Sequence, residues 1–94
     1  MSGIVFHPGH QELHGITVVL ETTGPVTYVG RFDNEDARGV HLLNVAEHHR
    51  ASSPYPLEEF LVRTQQFGVK AERKHLVVPS SLVGRIRKLG ELGG

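Results

Sequence analysis

A β-hairpin signal near the N-terminus constrains the fold of this chain more than any other sequence feature. Residues 16–22 and 26–32 are rich in β-branched and aromatic side chains, and they flank the turn sequence Thr-Gly-Pro at 23–25. Such side chains pack well on a pleated surface, and two such segments around a Gly/Pro turn indicate a hairpin. Gly30 lies inside the second segment. Because glycine has no Cβ, we expect the strand to bend sharply there and a neighbouring backbone to approach it closely.

Three more strands are expected downstream. Residues 33–39 form a polar turn that leads into a third strand at 40–47, and residues 48–56, with two prolines, form a loop. Residues 57–63 and 67–70 are apolar enough to supply the last two strands. The sequence therefore predicts a mostly β fold of five short antiparallel strands. A sharp bend at Gly30 would let these strands close a small, strongly bent barrel, and the alternative is that Gly30 marks a bulge in an unrelated sheet.

The two ends of the chain are expected to add short elements to this barrel. Residues 8–14 begin with proline and are followed by Gly15, which predicts a short N-terminal helix. Residues 76–78 are a brief apolar strand, and Ser80 and Ser81 can cap a helix with leucine or isoleucine at 82, 86 and 89. We expect one domain, with the barrel in residues 1–70 and a basic strand/helix extension in residues 71–94. The extension could cover an open end of the barrel or bind a partner protein.

Composition limits the function classes. A chain of 94 residues with 38% hydrophobic residues forms one small domain with a thin core, which gains stability from oligomerisation. There are no cysteines, so disulfide scaffolds and thiolate metal sites are excluded, and an intracellular location is expected. The N-terminus lacks the pattern of a signal peptide, and no apolar run reaches membrane-spanning length, so no membrane partner is expected.

Charge is balanced overall but unevenly distributed. Ten Lys/Arg residues match ten Asp/Glu residues, which argues against broad electrostatic binding of duplex nucleic acid. Residues 1–70 carry five basic and eight acidic side chains, whereas residues 71–94 carry five basic and two acidic ones. The basic C-terminal segment could contact phosphates, or it could be a solvated face or a docking surface for an acidic partner.

A resemblance to a known family adds to these inferences. The matching positions are residues 20–24 (LETTG), residues 28–32 (YVGRF), Asp36, Leu43, Glu47 and residues 57–67 (LEEFLVRTQQF). Together they resemble the first strand and the two sequence motifs of the Sm/LSm RNA-binding ring proteins, most closely the D-type spliceosomal Sm proteins. The resemblance covers residues 10–70 and implies an Sm-like barrel of the SH3/OB-like kind. This chain departs from the family pattern at Val40, where the family has a base-reading Asn, and at Thr64, where it has Gly.

The resemblance implies a site for single-stranded RNA. The positions that it assigns to RNA binding are Asp36, Arg38, Val40, Arg63 and Thr64. Arg63 would stack its planar guanidinium on a base, with Arg38 on the other side, while Asp36 would accept backbone hydrogens of its own loop. Val40 can neither donate nor accept a hydrogen bond, so uridine preference would be lost. The alternative for Arg63 is a surface ion pair with Glu58 or Glu59.

The resemblance also implies a ring of Sm/LSm-type subunits, identical or paralogous. The fourth strand of one subunit would pair with the fifth strand of the next. The residues implied are Phe60, Leu61 and Val62 against Phe67, Gly68 and Val69. We therefore predict a ring subunit that binds single-stranded RNA in a ribonucleoprotein of pre-mRNA splicing or RNA processing, nuclear if the source is eukaryotic. The alternative is an Sm-fold protein–protein assembly module without its own RNA pocket.

Enzymatic and metal-dependent functions have little support in the sequence. His10 and His14 have helical i, i+4 spacing and His7 lies nearby, but Glu12 does not follow the first histidine as it does in zinc proteases. No nucleophile motif and no phosphate-binding glycine loop are present. We predict no enzyme activity, no cofactor and no metal.

Overall fold

The computed structural model describes residues 11–92. Its strands are β1 (Thr17–Thr22), β2 (Val26–Asp36), β3 (Gly39–His49), β4 (Arg73–Val78) and β5 (Val83–Lys88). One helix, α1 (Leu57–Phe67), lies between β3 and β4, and short 3-10 turns span Gln11–Leu13, Ser80–Leu82 and Leu89–Glu91. The strands form one antiparallel sheet in the order β4-β3-β2-β1-β5. The part of the predicted N-terminal helix before residue 11 lies outside the described residues.

The predicted hairpin is confirmed. β1 and β2 pair in antiparallel register from Thr17 opposite Arg31 to Glu21 opposite Thr27. The Thr22 hydroxyl closes the turn, since it donates to the Val26 carbonyl at 2.5 Å and accepts the Gly24 N–H at 3.2 Å.

The close backbone approach expected at Gly30 is also confirmed. A Cβ at this buried position would lie 3.0 Å from the Leu43 carbonyl oxygen and 3.0 Å from a methyl group of Val45. The β2–β3 register shifts between Val29 and Arg31, so the irregularity in the ladder falls at the glycine. The third strand is longer than predicted and continues to His49.

The predicted fourth strand over residues 57–63 is wrong, because this segment belongs to helix α1. Glu58 and Glu59 lie in its first turn, where their negative charges interact favourably with the helix dipole. Leu57, Leu61 and Thr64 recur at helical spacing on its inner face. Gly68 ends the helix with φ 88°, and its N–H donates to the Thr64 carbonyl at 2.9 Å. The predicted fifth strand at 67–70 is likewise the end of α1 followed by irregular chain.

The expected C-terminal extension supplies the two edge strands of the sheet instead. The predicted helix after Ser80 is one 3-10 turn, and residues 83–88 form β5 against β1. Gly84 permits this pairing, because a Cβ there would lie 2.8 Å from the Glu21 carbonyl oxygen. Residues 73–88 are therefore part of the main sheet.

The sheet is curved around one apolar cluster. The cluster contains Phe32 and Leu42 from the middle of the sheet, and it also receives Val78 from β4 and Ile86 from β5. The edges of a flat five-stranded sheet would lie roughly 19 Å apart. The four residues 79–82 that join β4 to β5 include a 3-10 turn, so they span about 15 Å at most. Curvature brings the edges together, but β4 and β5 do not pair, and within residues 11–92 the sheet is not closed into a barrel.

Helix α1 covers part of the opposite face of the sheet. Its Leu61 joins Val19, Val29 and Leu89 in a second apolar cluster. β1 is therefore buried on both faces: Val18 points into the first cluster and Val19 into the second, and both are fully buried. No helix in the described part of the chain is long and apolar enough to cross a membrane.

Candidate functional site

A groove of about 430 Å³ opens between the 50–56 loop and α1. Its floor is the end of β3 at Ala46 and Glu47, and its far wall is the segment 68–72 that leads into β4. The helix contributes Phe60, Arg63, Thr64 and Phe67 to the lining of this groove, whereas Leu61 packs in the second apolar cluster.

Arg63 lines one side of the groove and is held there by two neighbours. Its Nε and Nη2 atoms both donate to Glu59 Oε2, at 3.1 Å and 2.9 Å, from one helical turn away. Its guanidinium carbon lies 4.7 Å from the centre of the Tyr55 ring, in a cation–π contact. The side chain remains 52% exposed, so the stacked guanidinium stays accessible to a ligand.

The loop end of β3 positions Tyr55. The His48 Nε2–H donates to the Tyr55 carbonyl at 2.9 Å, and the His48 ring packs against Phe60 with centroids 5.2 Å apart. His48 is therefore a buried structural residue that anchors the loop to the helix, although it was expected on the loop itself.

Phe67 supplies a second flat surface. It belongs to the last turn of α1, lines the groove and is 80% exposed, which is unusual for a large apolar side chain. An exposed aromatic ring close to an exposed guanidinium can hold planar groups by stacking.

Glu47 gives the floor of the groove a negative charge that is largely compensated. Its carboxylate accepts from Arg73 and from His49, the latter at 2.9 Å, and its side chain is only 9% exposed. The hydrogen bond from Arg73, followed by that from His49, lowers the pKa of Glu47 below its ordinary value. The groove therefore has an ionised acid at its base and cations around it.

The structure does not bring the five predicted RNA-binding residues together. Asp36, Arg38 and Val40 lie at the β2–β3 turn, whereas Arg63 and Thr64 lie on α1 beside the other end of β3. Val40 and the groove residue Ala46 lie six positions apart on β3, which corresponds to roughly 20 Å, and Arg38 lies further away beyond the start of the strand. A single pocket between Arg38 and Arg63 is therefore absent, and this prediction is corrected.

The same residues differ in their accessibility. Val40 is fully buried in the core, and Thr64 is 7% exposed and donates its hydroxyl to the Phe60 carbonyl at 2.8 Å. Asp36 accepts the backbone N–H of Arg38 at 2.9 Å, as expected, and this bond is the main reason that the pKa of Asp36 is lowered. Arg63 forms the ion pair with Glu59 that was the alternative interpretation of this residue.

The residues predicted to pair between subunits are not in strands. Phe60, Leu61 and Val62 are helical, Phe67 is the last residue of the same helix, and Gly68 and Val69 are irregular. These two segments therefore cannot form the predicted strand ladder.

Most of the basic C-terminal side chains have acidic partners. Arg73 pairs with Glu47, Arg85 and Arg87 pair with Glu21, and Lys88 lies 3.6 Å from Glu91. This compensation favours the interpretation of the segment as a solvated face over that of a diffuse phosphate-binding tail.

Sequence reasoning missed Tyr55 as a site residue, although a tyrosine between two prolines in a polar loop was a usable signal. Within residues 11–92, no group of three or more His, Cys, Asp or Glu side chains is arranged to hold a metal ion, and His7 and His10 lie outside that range.

No protein-family model matches this chain, and no curated protein matches it.

Proposed function

We propose that this protein binds single-stranded RNA in the groove between the 50–56 loop and α1. The observation that carries the proposal is the arrangement of Arg63, held over Tyr55, next to the exposed ring of Phe67. Single-stranded RNA is commonly held by stacking its unpaired bases on aromatic rings and guanidinium planes. The resemblance of residues 10–70 to the Sm/LSm family supports the same class of ligand.

The charges of the site fit a weak, stacking-dominated mode of binding. The chain has no net charge, and Arg63 and Arg73 already have carboxylate partners. Binding would therefore depend on stacked bases more than on phosphate neutralisation, so its salt dependence should be shallow. Duplex RNA, whose bases are stacked on one another, should bind less well.

The experiment measures the affinity of the protein for a fluorescent single-stranded RNA oligonucleotide. Arg63→Ala and Phe67→Ala should each reduce the free energy of RNA binding by about 1–3 kcal/mol, which is the usual contribution of one stacked base. Arg63→Lys should recover only part of the loss, because lysine keeps the charge but lacks the planar guanidinium.

Arg38→Ala is the matched control, since Arg38 is an exposed arginine at the far end of β3. Its affinity should equal that of the parent. If Arg38→Ala weakened binding while Arg63→Ala did not, the proposed groove would be rejected.

The open edges of the sheet favour a second function, that of a protein assembly module. Among residues 11–92, β4 and β5 each pair with one strand only, which leaves backbone groups along the other side of each without a strand partner in this part of the chain. Pairing of β4 in one copy with β5 in the next would satisfy these groups and would extend the sheet from copy to copy. Such an assembly is compatible with RNA binding, because the groove lies on the helix side of the sheet.

A further inference from the structure

Two histidines that are far apart in sequence face each other on β3 and β4. The His41 Nδ1 and His75 Nε2 atoms are 3.1 Å apart, and the two rings stack with centroids 5.3 Å apart. In the β3–β4 register, His41 lies opposite Val77 and His75 lies opposite Leu43. The two imidazoles are therefore diagonal neighbours on the face of the sheet that does not carry Leu42.

Asp36 fixes which nitrogen of His41 is free. Its Oδ2 atom lies 3.0 Å from His41 Nε2, and a carboxylate can only accept, so the proton of neutral His41 is on Nε2. The lone pair of Nδ1 then points toward His75. Asp36 is itself held in place, since its other oxygen accepts the Arg38 N–H at 2.9 Å.

This arrangement has the parts of a metal site that uses histidine ligands. Metal-binding histidines usually donate their second ring N–H to a carboxylate, which fixes the ring and raises its basicity. Asp36 has that relation to His41. The His41 side chain is only 12% exposed and hence well fixed, whereas His75 is exposed and can adjust.

We propose that His41 Nδ1 and His75 Nε2 together bind a divalent transition-metal ion such as Zn²⁺. At the usual Zn–N distance of about 2.0–2.1 Å, the 3.1 Å separation of the two nitrogens corresponds to an N–Zn–N angle of about 100°. This angle lies between the octahedral and tetrahedral values. Imidazole suits Zn²⁺, Cu²⁺ and Ni²⁺, and the remaining positions face solvent, where water or a ligand from another molecule can occupy them.

The ion would replace the proton that the two imidazoles share and would link β3 to the edge strand β4. Metal binding should therefore raise the midpoint of thermal unfolding, by an amount that grows with the ratio of free metal to its Kd. This site is independent of the groove, because it lies beside the β2–β3 turn.

The test is calorimetric titration of the full chain with ZnCl₂ at neutral pH in a buffer that does not bind zinc. One ion per chain should bind to this site, and His75→Gln should weaken that binding by about tenfold or more, since one of the two protein ligands is lost. Asp36→Asn should weaken it by about 10–100-fold, as is typical when the partner of a ligating histidine is removed.

His14→Gln and His49→Gln are the matched controls, since both histidines are exposed and neither belongs to the pair. Both should bind zinc as the parent does. Because His75 is exposed, His75→Gln should fold, and zinc-induced shifts of the His75 imidazole nitrogens in NMR spectra of the parent provide a second readout. Unchanged zinc affinity in His75→Gln, or no binding by the parent at millimolar zinc, would show that the pair is only an imidazole–imidazole hydrogen bond.

Discussion

At the residue scale, Glu47 connects the groove to the sheet. It is placed on β3, it bonds to Arg73 of β4, and it forms the floor of the groove. The carboxylate is largely shielded from water, and this position is tolerable because two partners donate to it. Its charge therefore contributes to stability, and that contribution should depend on pH.

We predict that Glu47→Gln lowers the free energy of unfolding at pH 7 and that the difference from the parent shrinks in acid. The pKa of Glu47 is lower in the folded protein than its ordinary value of 4.5. Stability from the ionised group is then fully present above about pH 4.5 and is lost as pH falls through the lower folded pKa. Urea denaturation from pH 7 to pH 3 measures this difference, with Glu58→Gln on the exposed face of α1 as the control. A difference that stays constant with pH would mean that the Arg73–Glu47 pair does not stabilise the fold through its charge.

At the element scale, short-range sequence patterns predicted some strands correctly. The secondary structure of other segments depends on packing against residues far away in the sequence. The β1–β2 hairpin was predictable because strand propensity, turn residues and Gly30 all lie within residues 16–32. Helix α1 was not, because Phe60, Leu61 and Val62 have strand propensity and only the burial of one helical face against the sheet overrides it. β5 was missed for a related reason. The spacing of residues 82, 86 and 89 suits a helix, whereas pairing with β1 depends on residues more than sixty positions away.

Of the residues that form the candidate site, the sequence predicted Arg63 as a ligand-contacting residue. It did not predict how Arg63 is arranged relative to the other residues of the groove. The resemblance places Arg63 at the end of a strand near Arg38, whereas the helix moves it to the other end of β3. Tyr55 and Phe67 complete the groove only through this three-dimensional arrangement, which no short sequence motif records.

The helical assignment of residues 57–67 makes a prediction about two neighbouring side chains. Leu61 is 8% exposed and belongs to the cluster with Val19 and Val29, whereas Val62 is 46% exposed. Leu61→Ala should lower the free energy of unfolding by about 2–5 kcal/mol, and Val62→Ala should change it by less than about 1 kcal/mol. Chemical denaturation of the two variants measures this contrast. Equal losses, or a larger loss for Val62→Ala, would contradict the packing of α1.

At the scale of the whole molecule, residues 11–92 form a curved open sheet with a helix on one face, and within this range each edge strand has a single neighbour. Free edges invite pairing with other chains unless charge prevents it. Both edges carry basic side chains, but most of these have acidic partners within the same chain, so repulsion between edges is reduced.

Cross-linking tests whether the edges join copies of the protein. The chain has no cysteine, so Lys74→Cys on β4 and Arg85→Cys on β5 introduce the sole thiols. With a flexible bis-maleimide reagent, the double variant should form a ladder of oligomers if β4 of one copy pairs with β5 of the next. Each single variant should stay monomeric, because β4–β5 pairing brings residue 74 of one copy next to residue 85 of the next and does not bring two identical positions together. A double variant that yields only monomers or internally linked chains would contradict edge-to-edge assembly.

An NMR titration of the labelled protein with RNA shows whether the groove beside α1 binds single-stranded RNA. Addition of a single-stranded RNA oligonucleotide should shift the signals of Tyr55, Arg63 and Phe67 together, with one affinity. The β2–β3 turn around Arg38 should stay unchanged and serves as the internal control. Shifts confined to that turn or to the edges at β4 and β5, or no shifts at millimolar RNA, would rule out the groove as the RNA-binding site.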